Sequence, residues 1–492
     1  MHGRQTIGTV LAVVFLLGLC SLSPAQFYNG PGWVKYGCTT FPLTQSSIPT
    51  GTGVQDPALV YNAASAWGGY SWLKSSATDS AAAASAISTG VKTYNNAINW
   101  SDLNASLPTI CELAKNTYGK AVGTVSSVEW SHATPAALSE AHDVSRNNYA
   151  NIANDMLGGT VMDVIMGCGN PDYNAAGAST SWKDYKFVGG QTTWDQLKSG
   201  THPGGWTLVE SRGGIQALAV GATPARVVAT AQTRETLQQR RGATQDWNGN
   251  GVIDSADIKA APVYGDPFNA SVPTLREMTQ AALNCLKNRD QAGSNGFFLH
   301  VECGAVDWAN HHNQLGRMIE EQTALVEAAE AVVDFIDQDG DDYTWDNTLL
   351  ILTADHETGL LWGPDSATEP FNPLVSQGQG QLPLARYNSG GHANSLVPVR
   401  ARGAGSEDFA ALVDGYDATA AAKWGVGNYV DNTDLFTVMS NAMADGHNVV
   451  LMIGDGAGFN TWAAQEMYAV PEPAAAVLLG LGGCILAGHR RH

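Results

Sequence analysis

Asn448-Val449-Val450-Leu451-Met452-Ile453-Gly454-Asp455-Gly456-Ala457-Gly458 decides the fold. An apolar run with no polar alternation reads as a strand buried on both faces, as in the middle of a parallel sheet. It runs into a carboxylate at a glycine-flanked turn, and ligands of open α/β sheets gather at the carboxyl ends of strands. Two more stretches are built alike. Phe297 to Glu302 is an apolar strand ending in a carboxylate, and the β-branched run Thr348 to Thr353 delivers Asp355-His356. The expected fold is α/β, with a mainly parallel central sheet flanked by helices.

Composition narrows the partners. The chain has 492 residues, with 26 Lys and Arg against 46 Asp and Glu, for a formal net charge of -20. That balance argues against nucleic acid, whose phosphate backbone rewards Lys and Arg. An acidic enzyme can still bind phosphate where metals and a local Arg reverse the field. Cys20 and Cys484 lie in the end segments. Cys38, Cys111, Cys168, Cys285 and Cys303 remain, at spacings from which neither a disulfide framework nor a Cys-x-x-Cys metal site is readable.

The two ends read as targeting segments. Residues 1–25 have a basic start at Arg4, an apolar stretch and Ser23-Pro24-Ala25, the pattern of a secretory signal. Cys20 admits a lipoprotein alternative, although Leu19 is large for the preceding position. Residues 469–492 contain Val470-Pro471-Glu472-Pro473, an apolar run from Ala474 to Gly488, and His489-Arg490-Arg491-His492. The run is shorter than the ~20 residues that span a bilayer. This segment resembles the PEP-CTERM sorting signal, which implies an exosortase-type processing enzyme and delivery to the cell surface or extracellular matrix. A plain membrane anchor is the alternative. Residues 26–468 are left for the folded domain.

Chemistry-bearing residues recur along that domain. Thr78-Asp79-Ser80 precedes Ala81-Ala82-Ala83-Ala84-Ser85-Ala86 and, further on, Thr89-Gly90-Val91-Lys92-Thr93. The plain reading is an N-cap on an alanine-rich helix. The same geometry sets Ser80 against free N–H groups and the positive end of a helix dipole, where an anion binds. His132-Ala133-Thr134-Pro135 and Ser145-Arg146 follow; Arg146 reads alternatively as a surface arginine on an amphipathic helix. Asp307 and His311 stand four apart, so a helical turn puts both on one face as a zinc half-site. Asp355-His356 ends its strand, and His392 sits in Ser389-Gly390-Gly391-His392. Residues 314–336 read as an amphipathic packing helix with Glu320 and Glu321 in solvent.

Taken together these motifs resemble the alkaline phosphatase family. The resemblance implies Ser80 as nucleophile and Arg146 as the phosphate clamp, with Thr134 and Arg146 twelve positions apart, one more than the family spacing. It implies one Zn2+ on Asp307, His311 and His392, a second Zn2+ on Asp455, Asp355 and His356, and a Mg2+ on Asp455, Thr134 and Glu302. The activity implied is hydrolysis of small phosphomonoesters through a phosphoserine. Phosphodiesterase or sulfatase chemistry and an inactive surface scaffold are the alternatives, and a homodimer is an assembly it allows. The family's first strand corresponds here to residues 448–458, near the end of the chain. The resemblance therefore implies a circular permutation, with the old termini joined near Ala444-Asp445-Gly446-His447.

Family motifs lapse between about residues 182 and 266, which reads as an insertion. Within it, residues 246–257 place oxygen side chains at loop positions 1, 3, 5, 9 and 12 and Gly251 at position 6, as a Ca2+ loop requires. Asp246, Asn248, Asn250 and Asp257 are the candidate ligands. An Asn-Gly-rich turn is the alternative.

Overall fold

The computed structural model describes residues 24–338 and 343–469. The secretory-signal and sorting-signal readings fall almost wholly on residues 1–23 and 470–492, outside the described residues. Eleven strands form one sheet. They are β1 Val34–Thr39, β2 Ala121–Glu129, β3 Val164–Cys168, β4 Thr207–Val209, β5 Val227–Thr230 and β6 Phe297–Cys303. β7 Thr348–Thr353, β8 Val397–Gly403, β9 Gly415–Tyr416, β10 Asn428–Asp431 and β11 Asn448–Gly454 complete it. The spatial order is β9-β10-β1-β8-β7-β11-β6-β2-β3-β5-β4.

From β7 to β4 every neighbouring pair is parallel. Only β8, against β1 and β7, and β9, against β10, run antiparallel. β11 is the last strand in sequence, yet it lies between β7 and β6, buried at all seven positions. Its apolar run has neighbours on both edges and helices on both faces, which is why it carries no polar alternation.

Four helices matter for the site: α1 Ser80–Thr89, α2 Ala305–His311, α3 Leu315–Ile336 and α4 Phe459–Ala469. α3 corrects one expectation. Glu320 and Glu321 are both buried, and Glu320 is paired there with the buried Arg241 and Arg317. Glu320 Oε2 takes Arg241 Nη2 at 2.6 Å and Arg317 Nη1 at 3.2 Å, and Arg317 Nη2 reaches Asp266 Oδ2 at 2.7 Å. Charges enter a core only when paired in this way.

The stretch from 182 to 266 is not a single appendage. β4 and β5 lie inside it and extend the main sheet beyond β3. The calcium-type loop follows them and leads into a short helix, Ser255–Ala260. Among the described residues no helix is long and apolar enough to cross a membrane, and the five cysteines there are free and buried.

Candidate active site

The carboxyl ends of β6, β7 and β11 open onto one place. Ile453 pairs with Glu302 on one side and with Thr353 on the other. The ends of the three strands therefore deliver Glu302, Asp355 and Asp455 at one level, all buried. Gly456 turns the chain there with φ +71°, and an added Cβ would come within 2.9 Å of Thr358 Oγ1 and 3.0 Å of the Asp307 Cα.

α2 carries Asp307 and His311 one turn apart. His311 Nε2 lies 3.2 Å from Asp307 Oδ2 and 3.1 Å from His392 Nε2. Each ring is oriented through its other nitrogen: His311 Nδ1 donates to the Gly390 carbonyl and His392 Nδ1 to the Thr78 carbonyl, both at 2.8 Å. In the neutral rings both Nε2 lone pairs then face each other and a carboxylate, which is favourable only around a positive charge. Burial lowers the His311 pKa, but the Asp307 carboxylate overrides it and raises it to about 9. Two imidazoles and one carboxylate are a donor set suited to zinc.

His356 forms the second group. Its Nε2 is 3.2 Å from Asp355 Oδ2, 3.4 Å from Asp455 Oδ1 and 3.1 Å from Ser80 Oγ. Thr358 sets the tautomer: its hydroxyl donates to Asp307 Oδ1 at 2.6 Å, so it accepts from His356 Nδ1 at 3.2 Å. Nε2 is left as a lone pair among carboxylates. Asp307, His356 and Asp455 also bring ligand atoms within 4.8 Å of one another.

The third group is oxygen alone. Ser126 donates its hydroxyl to Glu302 Oε2. Glu302 Oε1, Thr134 Oγ1, Asp355 Oδ2 and Asp455 Oδ1 are buried with no hydrogen-bond partner among the described residues. Buried, unsatisfied oxygens are costly. Burial first, and then neighbouring carboxylates, push Asp355 up to about 8 and raise Asp455 as well. Burial raises Glu302 to about 7. These donors fit cations, and a hard cation suits an all-oxygen set.

Ser80 opens α1, where Asp79 caps the helix by accepting from Ala82 N at 3.0 Å. The other Asp79 oxygen, Oδ2, accepts from Arg146 Nη1 at 3.1 Å. Arg146 lies on no helix: its N–H bonds the Asn96 carbonyl at 2.7 Å, and the next helix starts at Tyr149. From that loop its side chain, 15% exposed, is turned inward.

In the calcium-type loop, Asp246 Oδ1 accepts from Gly249 N (2.8 Å) and Asn250 N (3.0 Å), and Oδ2 from Gly251 N (2.7 Å). Asn248 and Asn250 accept from the amides two residues on, at 2.9 and 2.8 Å. Asp257, which is buried, accepts from Asn248 N and Asp254 N. The loop's acidic and amide side chains thus curl onto their own backbone.

Sequence reasoning missed Thr358, which orients two ligand residues at once, and the pairing of Asp79 with Arg146. Thr358 lies two residues beyond His356 in a short strand that pairs with His392–Ala393, a partner no local pattern shows.

Buried acidic and imidazole donors, with a serine at a helix start and an inward arginine, form a cluster on an α/β sheet in which two groups of ligand atoms could each hold a metal ion. The alkaline phosphatase family model matches residues 69–424, and the chain belongs to that family. Alkaline phosphatase 3 of Bacillus subtilis is 30% identical over 287 residues, covering 57% of this chain and 49% of that protein. The chain thus spans about half of that relative. The alkaline phosphatase of Escherichia coli is 28% identical over 374 residues, covering 71% of this chain and 74% of that one. Among solved structures, a mutant of TAB5 alkaline phosphatase with Mg bound in its M3 site aligns with TM-score 0.51 at 19% identity. That alignment covers 83% of this chain and 88% of the other.

Proposed function

We propose that this protein is a metal-dependent phosphomonoesterase with Ser80 as its nucleophile. The observation that carries the reading is the position of Ser80 Oγ, at the start of α1 and 3.1 Å from the His356 Nε2 lone pair. When bound, two Zn2+ and one Mg2+ would lower the pKa of a hydroxyl or water and stabilise the attacking and leaving oxygens of an in-line displacement. Asp307, His311 and His392 would hold one zinc, and Asp455, Asp355 and His356 the other. Asp455, Thr134 and Glu302 would hold the magnesium.

The chain's own groups do the rest. The N–H groups at the start of α1 and the Arg146 fork bind two phosphate oxygens and orient phosphorus toward Ser80. Asp79 braces Arg146 from behind. Ser80 Oγ attacks as the ester oxygen departs, giving a phosphoserine, and water cleaves that to free phosphate and serine.

We infer further that the chain is circularly permuted. The central place of β11 and the three-residue link from the preceding helix, Asp434–Ala444, favour this. So does the packing of α4 against residues 24–29, because permutation succeeds where ends lie together on a surface. Secretion and surface delivery by the end segments belong to the same proposal, as does Ca2+ in the 246–257 loop, tested by a calcium-dependent rise in melting temperature.

Hydrolysis of 4-nitrophenyl phosphate at alkaline pH with zinc and magnesium tests the function, beside Ser80→Ala and a chelator. Activity lost in both controls is expected. No activity from folded, zinc-loaded protein sinks the reading. A diester and a sulfate ester assayed alongside decide between this and the other superfamily chemistries.

A further inference from the structure

One residue beyond Asp307, the indole of Trp308 starts an aromatic wall beside the site. Its ring meets His132 at 5.9 Å, and His132 stacks on Tyr149 at 6.0 Å with planes 13° apart. The wall thus runs from a metal-ligand helix toward Arg146, three residues before Tyr149. A cation stands at each end. The Arg240 guanidinium lies 5.1 Å from the Trp308 ring, and the Lys186 ammonium 5.6 Å from the Tyr149 ring.

Both cations keep donors within reach of solvent, the Arg240 side chain being 37% exposed and that of Lys186 49%. Arg240 Nε is 3.2 Å from Glu235 Oε2 and Lys186 Nζ is 3.3 Å from Asp184 Oδ2. Neither side chain donates a hydrogen bond among the described residues. Arg241, next door, points the other way and spends its donors on the Asp266 and Gln238 carbonyls and Glu320. Buried Glu129 faces both cations, with one carboxylate oxygen unpartnered. The donors left over from these ion pairs, beside an aromatic face, suit an anion attached to a planar body. The chain's charge of -20 would otherwise repel such a molecule.

Resting on the phosphomonoesterase reading, we propose that Arg240 and Lys186 form a leaving-group subsite. It selects substrates whose leaving group carries a second phosphate, such as a nucleoside diphosphate. Ser80 Oγ bonds to the terminal phosphorus, the bridging P–O bond breaks, and the nucleoside monophosphate leaves with that oxygen. Water then takes the phosphoryl group from Ser80.

The test compares kcat/KM for ADP and AMP, which differ in that one phosphate, with 4-nitrophenyl phosphate as reference. The metal-loaded wild-type enzyme should prefer ADP. Arg240→Gln should cut the ADP/AMP ratio about tenfold, mainly through KM, with Arg240→Lys restoring part of it. Lys186→Gln should act in the same direction, and added salt should erode the preference. An unchanged ratio in both glutamine variants, or equal losses on ADP and AMP, overturns the subsite. Absence of 4-nitrophenyl phosphate hydrolysis by the wild type would instead strike the underlying function.

Discussion

Tyr28 donates its hydroxyl to Oε1 of Glu466 at 3.0 Å, joining the first and last turns of the described chain. Asn29 adds a second bond to the same oxygen at 3.2 Å. The Tyr28 and Trp462 rings meet edge to face at 5.0 Å, and the Arg400 guanidinium lies 4.8 and 4.7 Å from them. The first and last described turns are thereby held together beside α4, whose N-terminus follows Asp455. Tyr28→Phe keeps the ring and removes the hydroxyl, so stability should fall by about 1–2 kcal/mol. Urea unfolding with an unchanged slope measures it. An unmoved midpoint would mean that Asn29 and water replace the phenol.

Gly456 is a tight turn directly after Asp455. At φ +71° an alanine is strained, and its Cβ would press on Thr358 Oγ1, the atom that steers both Asp307 and His356. Gly456→Ala should cost about 1–3 kcal/mol of stability and, through the displaced ligands, weaken zinc retention about tenfold. Metal content after dialysis against a graded chelator reads this directly. Wild-type retention in the variant would show that the strand end yields without disturbing the ligands.

Glu129 links stability to pH. Burial pushes its carboxyl up to about 8, so it is neutral in the fold below that pH. Unfolded, it ionises near 4.3. The folded pKa is the higher one, so the contribution is complete below the unfolded value and is lost as pH rises through about 8. Glu129→Gln cannot ionise. Relative to wild type it should gain stability between pH 5 and pH 9, by on the order of 3 kcal/mol. Parallel melts at the two pH values test this, and an equal offset at both would assign the penalty elsewhere.

What could be read in advance follows from where information is local. β6, β7 and β11 are buried on both faces, so each announces itself as an apolar run, and the acids just beyond mark the site. Asp307 and His311 were legible because one helical turn aligns them. β4, only three residues long, has no period to detect, so its region read as an insertion. Glu320 read as solvated because a helix pattern shows a glutamate without its partners. Asp266, paired through Arg317, and Arg241 lie 51 and 79 positions from the residues they hold. At the Trp308–His132 contact the partners Arg240 and Tyr149 were equally hidden, since they reach it from separate segments.

That buried ion-pair network makes the last prediction. The Arg317 side chain is 1% exposed and bridges Asp266 and Glu320, while Arg241 shares the same Glu320 oxygen. Asp266 also collects the Thr244 N–H and hydroxyl and the Trp247 indole, so the network ties the segment before the calcium-type loop to the start of α3. Removing one partner of a buried pair leaves an uncompensated charge, which costs about 3–5 kcal/mol. Arg317→Met should lose that much, whereas Arg317→Met with Asp266→Asn should recover a substantial part, since both charges are then gone. The double-mutant cycle by urea unfolding gives the coupling. If the two losses simply add, the pair is not what holds this segment, and the hydrophobic contacts of α3 carry it instead.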